Sequence, residues 1–131
     1  MVGPLVIVNG MVGGNAAAAY GVPLTISLAM MNVDAWVGYD VDWWVAALAQ
    51  NTGSWLYLNS TFNWVGFDGQ LQNIQPVHQG PLANIAPMPI AQGLVLAPGV
   101  YNIWFAVDYP KDGVLDLHGT LLLSGTTLTV E

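Results

Sequence analysis

Charge is what this chain has least of. Only 7% of its residues are charged while 54% are hydrophobic, where an ordinary soluble domain carries roughly 25% charged residues. Arginine is absent, and Lys111 is the single lysine against seven aspartates and one glutamate, for a net charge of −7. That balance excludes the basic footprint that nucleic acids and anionic membrane surfaces require. Cysteine is absent too, so there are no disulfides and no thiol chemistry. A zinc site would have only His78 and His118 as nitrogen ligands. No Gly-x-Ser-x-Gly or paired-carboxylate arrangement accompanies those histidines, and serine is scarce, so the pattern is that of a protein that is not an enzyme.

Long apolar runs are missing as well. No charged residue precedes Asp34, yet Pro4, Asn9, Gly10, Gly14, Asn15, Gly21 and Pro23 break that interval before about 20 apolar residues can accumulate, which argues against a membrane-spanning helix. The positive start of a secretory leader is also lacking, so the chain reads as mature or as an excised piece. A single lysine offers a trypsin-like protease one cleavage point, which favours a setting outside the cell or at its surface.

What remains is a rhythm of short strands. At 131 residues the chain suits one domain with a core of its own. "PLVIVNG" (4–10) is a β-branched run closed by Asn-Gly, a turn signal. "MVGGNAAAAYG" (11–21) reads either as a flexible connection or as one helical turn. In "VPLTISLAMM" (22–31), Leu24, Ile26, Leu28 and Met30 alternate with Thr25, Ser27 and Ala29, as in a strand with one polar face. "SWLYLNSTFNWVGFDGQ" (54–70) reads as a hairpin. The proline-rich middle (71–93) reads as short edge strands joined by loops. "VYNIWFAVDYPKDGVLDLHGTLLL" (100–123) is a second hairpin around an Asp-Gly turn, and "TTLTV" (126–130) is a last strand. Short strands at this spacing predict an all-β fold, a single antiparallel β-sandwich of jelly-roll or immunoglobulin-like kind.

"GYDVDWWVAALAQ" (38–50) is the most informative stretch. Val37, Val41, Trp44 and Leu48 also fit a helical stripe, but the bracketing Gly38 and Gly53 and the aromatic and β-branched neighbours favour a long strand. Strand alternation then sends Trp43, Val45 and Ala47 to one face and Trp44, Ala46 and Leu48 to the other, so both faces are apolar. One face fills the sandwich; the other needs cover from a loop, the N-terminal segment or a neighbouring molecule.

Four segments carry a family likeness: "DVDWWVAALA" (40–49), "SWLYLN" (54–59), "PVHQGPL" (76–82) and "GVYNIWFAVDYPKDGVLD" (99–116). As a set they resemble an uncharacterised β-sandwich accessory domain of secreted bacterial proteins, over roughly residues 24–131. The resemblance implies an extracytoplasmic sandwich and transfers no catalytic residue. It leaves residues 1–23 outside, as an N-terminal strand and a Gly/Ala-rich connector.

Three kinds of site follow. Asp108, Asp112 and Asp116, four residues apart around a turn, could supply oxygen ligands to calcium, although a plain Asp-Gly hairpin turn explains the pattern more simply. Asp40 and Asp42 would share a strand face; they could join a metal site, but solvated edge carboxylates are the simpler expectation. Six tryptophans invite a carbohydrate-binding reading, with most of them expected in the core. The leading expectation is self-association: a homo-oligomer or filament in which Leu5, Val6, Ile7 and Val8 pass as a strand to the next subunit and Trp44 is buried at the contact. The low charge and the lack of evident edge protection point the same way.

Overall fold

A computed structural model describes residues 3–12, 14–31, 33, 36–109, 111–115 and 120–131. Two sheets face each other. In the smaller, β4 (Leu24–Met31) lies between β1 (Gly3–Val8) and β9 (Ile85–Leu94), and β2 (Met11–Val12) folds back on β1. The larger runs β3 (Asn15–Ala18), β11 (Thr120–Val130), β10 (Gly99–Asp108), β5 (Asp40–Ala49), β6 (Ser54–Leu58) and β7 (Trp64–Phe67). Its seventh strand, β8 (His78–Pro81), pairs with the first half of β5, and β6 pairs with the second half. All pairings are antiparallel except that of β3 with β11, so the expected β-sandwich is present.

The alternation read from the sequence explains the packing between the sheets. Val6, Val8, Ile26, Leu28 and Met30 point inward from the small sheet and meet Trp43, Val45, Ile103, Phe105 and Leu128 from the large one in one buried cluster. Asn9 and Gly10 both have positive φ (49° and 79°), the backbone that a two-residue hairpin needs, and they join β1 to β2. The hairpin of β6 and β7 and that of β10 and β11 are also formed.

Four expectations need correction. The stretch 11–21 is neither a flexible connection nor a helical turn, because β2 and β3 occupy most of it. The alanines of β3 extend because their backbone pairs with the edge of β11, and Ala16 is small enough to tuck into the core there. The middle of the chain does hold edge strands joined by loops, the short β8 and then β9, but β9 is not short: it runs ten residues and carries both Pro87 and Pro89. A proline is tolerated only where a strand has a free side, and β9 is an edge. These two exposed prolines supply edge protection that the sequence does not make evident. Finally, β11 is one strand from Thr120 to Val130 rather than two.

Residues 1–23 thus contribute strands to both sheets. Within one chain, β1 pairs with β4 from Gly3 to Val8. Val6 and Val8 lie in the core, Ile7 is also buried, and Leu5 is half-buried.

Leu128 is fully buried at the centre of this packing. Leu128→Ala is expected to cost about 2–5 kcal/mol in a urea unfolding titration, while Val95→Ala, at a position 51% exposed, changes stability by less than about 0.5 kcal/mol.

Candidate functional site

The outward face of the large sheet collects most of the chemistry. On β5 it presents Asp42, Trp44, Ala46 and Leu48, and β10 sets Asp108, Ala106, Trp104 and Asn102 directly opposite them. On the other side of β5, β6 places Tyr57 and Trp55 beside Ala46 and Leu48. Acids therefore gather at one end of the face and aromatic rings along its middle.

Trp44 joins the two. Its ring is 2% exposed, buried with Tyr57, Ile74 and Ala106 and flanked by Val65, Phe67 and Leu115. The cover the second tryptophan required comes from its own chain: Ile74 follows a short 3-10 helix at Leu71–Asn73, and Leu115 lies in the link after β10. Trp44 Nε1 donates a hydrogen bond to Asp108 Oδ1 at 2.6 Å.

Asp108 and Asp42 form a cross-strand pair, and both are buried. Like charges placed so are mutually unfavourable, and buried carboxylates must be supplied with donors. For Asp42 the supply is explicit. Oδ1 accepts from Gln79 Nε2 at 2.8 Å, and Oδ2 accepts the backbone N–H groups of Asp112 and Gly113 at 3.1 and 2.8 Å. The expectation that Asp42 is solvated is therefore corrected: it anchors the link between β10 and β11 to the sheet. Gly113, at φ 77°, supplies the left-handed backbone the Asp-Gly turn needs. Asp112 Oδ1 caps the turn by accepting Val114 N–H at 3.0 Å. Asp40 stays at the surface, 3.9 Å from Lys111 Nζ.

Asp42, Asp108 and Asp112 each offer a carboxylate oxygen within 4.8 Å of the others. Calcium–oxygen bonds of about 2.3–2.6 Å put opposed ligands about 5 Å apart, so this cluster, with Asp42 and Asp108 buried and Asp112 exposed, could bind a metal such as calcium. Asp42 already uses three of roughly four acceptor positions on hydrogen bonds, so a cation here would share it with the turn. The third expected ligand, Asp116, and also His118, lie outside the described residues. Asp42, expected from the sequence to be a solvated carboxylate, belongs to the cluster because β5 and β10 pair it with Asp108. The DxD spacing of Asp40 and Asp42 is the signal that the sequence offers for it.

Next along the face lies an apolar groove of about 210 Å³, walled by Trp55, Trp104, Leu115 and Leu123 above a floor of Ala46 and Ala106. The two tryptophan rings lie 5.7 Å apart and 18° from parallel, both half-buried. Glycines make room for them: a Cβ on Gly125 would come within 2.9 Å of Trp104, and one on Gly69 within 2.9 Å of Trp55. Gly69 belongs to a turn held by Asp68, whose carboxyl lies below its ordinary value because the Asn73 side chain and the Gln70 N–H donate to it. His78 pairs with Trp43 and shares its face, so the sheet separates it from the carboxylates.

Of the six tryptophans, Trp43 and Trp44 are buried, Trp36 and Trp64 pack against the core, and Trp55 and Trp104 are half-buried and stacked on each other on the outer face. Comparison with protein-family models, with curated proteins and with solved structures yields no significant match to this chain.

Asp42→Ala strips the acceptor from two backbone N–H groups and an amide. It is expected to cost about 1–3 kcal/mol and to speed hydrogen exchange at Gly113. An increase in stability would mean that repulsion from Asp108 outweighs those bonds.

Proposed function

We propose that the protein is a non-enzymatic structural subunit, working outside the cell or at its surface, that associates with further copies of itself through the outer face of its large sheet. The observation that carries this reading is the groove of Trp55 and Trp104, bordered by Leu123 at 58% exposure and lined by apolar side chains. Burying each such side chain is worth about 1.5–3 kcal/mol. With so few charges in the chain, little opposes contact there. Association by this face leaves β1 in its own sheet, paired with β4, so exchange of β1 is not required. The extracellular setting draws on the single lysine and on the likeness to an accessory domain of secreted proteins.

Calcium fits the same reading. The acid cluster carries the main negative charge of this face, and Leu115, which walls the groove, follows closely on Asp112 and Gly113. A bound cation neutralises the cluster and stiffens that wall. A second reading, carbohydrate binding, is supported by Asn102 and Thr127 beside Trp104 on the same face, where the Thr127 hydroxyl lies 3.3 Å from Asn102 Oδ1. Amide and hydroxyl groups next to a flat ring suit a sugar.

Sedimentation velocity from micromolar to millimolar concentration separates these readings. The native chain is expected to form larger species, and Leu123→Asp and Trp104→Ser to remain monomeric with unchanged circular dichroism. Unchanged assembly in both variants points to exchange of β1 and contradicts the sheet-face contact; a monomer that binds soluble glycans supports the second reading. Calcium is expected to raise the melting temperature and to promote association, and both effects should vanish in the Asp42→Asn/Asp108→Asn double variant.

A further inference from the structure

A second opening lies on the other side of β5, between the two sheets, and is independent of the outer face. Leu28 and Ile85 of the small sheet, Trp43 and Phe105 of the large one, Val77 ahead of β8 and Phe62 in the β6–β7 turn enclose about 230 Å³. It opens to solvent at Phe62, Met88 and His78. An engineered apolar cavity of about 150 Å³ takes a benzene molecule, so this one has room for two fused rings.

Two observations mark it as more than a packing gap. Trp43 is 4% exposed, and its Nε1 has no hydrogen-bond partner among the described residues. A buried donor left unpaired costs about 1–3 kcal/mol, and indole N–H groups in protein interiors usually find an acceptor. Packing alone explains the ring, which stacks on Phe105 at 6.1 Å and meets His78 edge-on at 6.0 Å, but not the stranded N–H.

Phe62 is the other observation. It holds φ 62°, a left-handed conformation that glycine or asparagine adopts far more readily, at a cost of about 1–2 kcal/mol for a residue with a Cβ. The turn enforces it: Asn59 Oδ1 accepts from the backbone N–H groups of Thr61 and Asn63, and Phe62 N–H donates to Asn59 O. A strained position that carries an aromatic ring at 43% exposure on the rim of a cavity points to a use for that ring.

We propose that this inter-sheet cavity binds a small, uncharged apolar molecule that carries one hydrogen-bond acceptor, such as an aromatic or aliphatic carbonyl compound. The Trp43 indole N–H donates to the acceptor, and Phe62 closes over the apolar body. A neutral ligand fits because the lining is apolar apart from Trp43 Nε1 and His78 at the mouth, the chain has no arginine and its one lysine lies beside Asp40.

The test uses the full chain and three probes of one shape: 2-acetylnaphthalene, 2-ethylnaphthalene and 2-naphthoate. Titration is followed by calorimetry and by the indole N–H resonances of the tryptophans. The acetyl compound is expected to bind with a shift at Trp43 and none at Trp55 or Trp104. The ethyl compound should bind about 2- to 10-fold more weakly, as loss of one hydrogen bond implies, and the naphthoate more weakly still. Phe62→Gly, which relaxes the backbone and so keeps the fold, should weaken the acetyl compound several-fold. Trp43→Phe should make the acetyl and ethyl compounds bind alike. Absence of binding, equal affinity of the native chain for those two probes, or shifts at Trp55 and Trp104 in place of Trp43 would overturn the proposal.

Discussion

Two adjacent indoles on one strand, pointing opposite ways and both buried, are the constraint around which this molecule is arranged. A strand in an antiparallel sandwich ordinarily needs one apolar face, with water on the other. β5 has two apolar faces, and each tryptophan calls for different structure. Trp43 faces the small sheet and helps define the space between the layers. Trp44 faces outward, where no second sheet lies among the described residues, so the chain supplies Ile74 from one loop and Leu115 from another, and gives the indole N–H a carboxylate to bond. The outer cover stops at Trp44. Beyond it, Trp55 and Trp104 stay half-buried above alanines, in a groove walled by Leu115 and Leu123 and left open among the described residues.

The acid cluster is the counterpart of that arrangement at the end of the strands. A bulge between Val107 and Asp108 shifts the register against β11 where Asp108 turns toward Trp44. Asp42, opposite, spends its acceptor capacity on the turn after β10. Burying two facing carboxylates is costly, and the arrangement is intelligible as a way to fix a long link against the sheet. Acid cluster, pinned turn and groove wall are joined along the chain, since Leu115 follows the two residues that Asp42 holds.

Much of the fold is legible in the sequence because alternation with period two is a local signal. "LTISLAMM" and "YNIWFAVD" display their faces within one segment, and Asn9-Gly10 displays its turn in two residues. The opposition of Trp43 and Trp44 follows from adjacency alone. What the residues do not show is pairing at a distance. Asp42 looks like a solvated carboxylate until β10 brings Asp108 to face it, 66 positions later in the chain. Ala16 and Ala17 have no strand preference of their own and extend only because the edge of β11 is available. Pro87 and Pro89 mark an edge strand in the sequence, but nothing local reveals that it runs unbroken for ten residues. The candidate site is half visible for the same reason: Asp108 and Asp112 stand out as neighbours around one turn, whereas Asp42 and the seats that Gly69 and Gly125 make for the tryptophans depend on tertiary contacts.

The tryptophans thus divide into those buried by the chain itself and the stacked pair, Trp55 and Trp104, that stays half-buried on the outer face. Fluorine NMR of the protein labelled with 5-fluorotryptophan, recorded as concentration rises, tests that division residue by residue. The resonances of Trp55 and Trp104 are expected to move together with concentration while those of Trp43 and Trp44 stay fixed. Resonances of Trp55 and Trp104 that hold still up to millimolar protein, or a shift confined to Trp44, would contradict it.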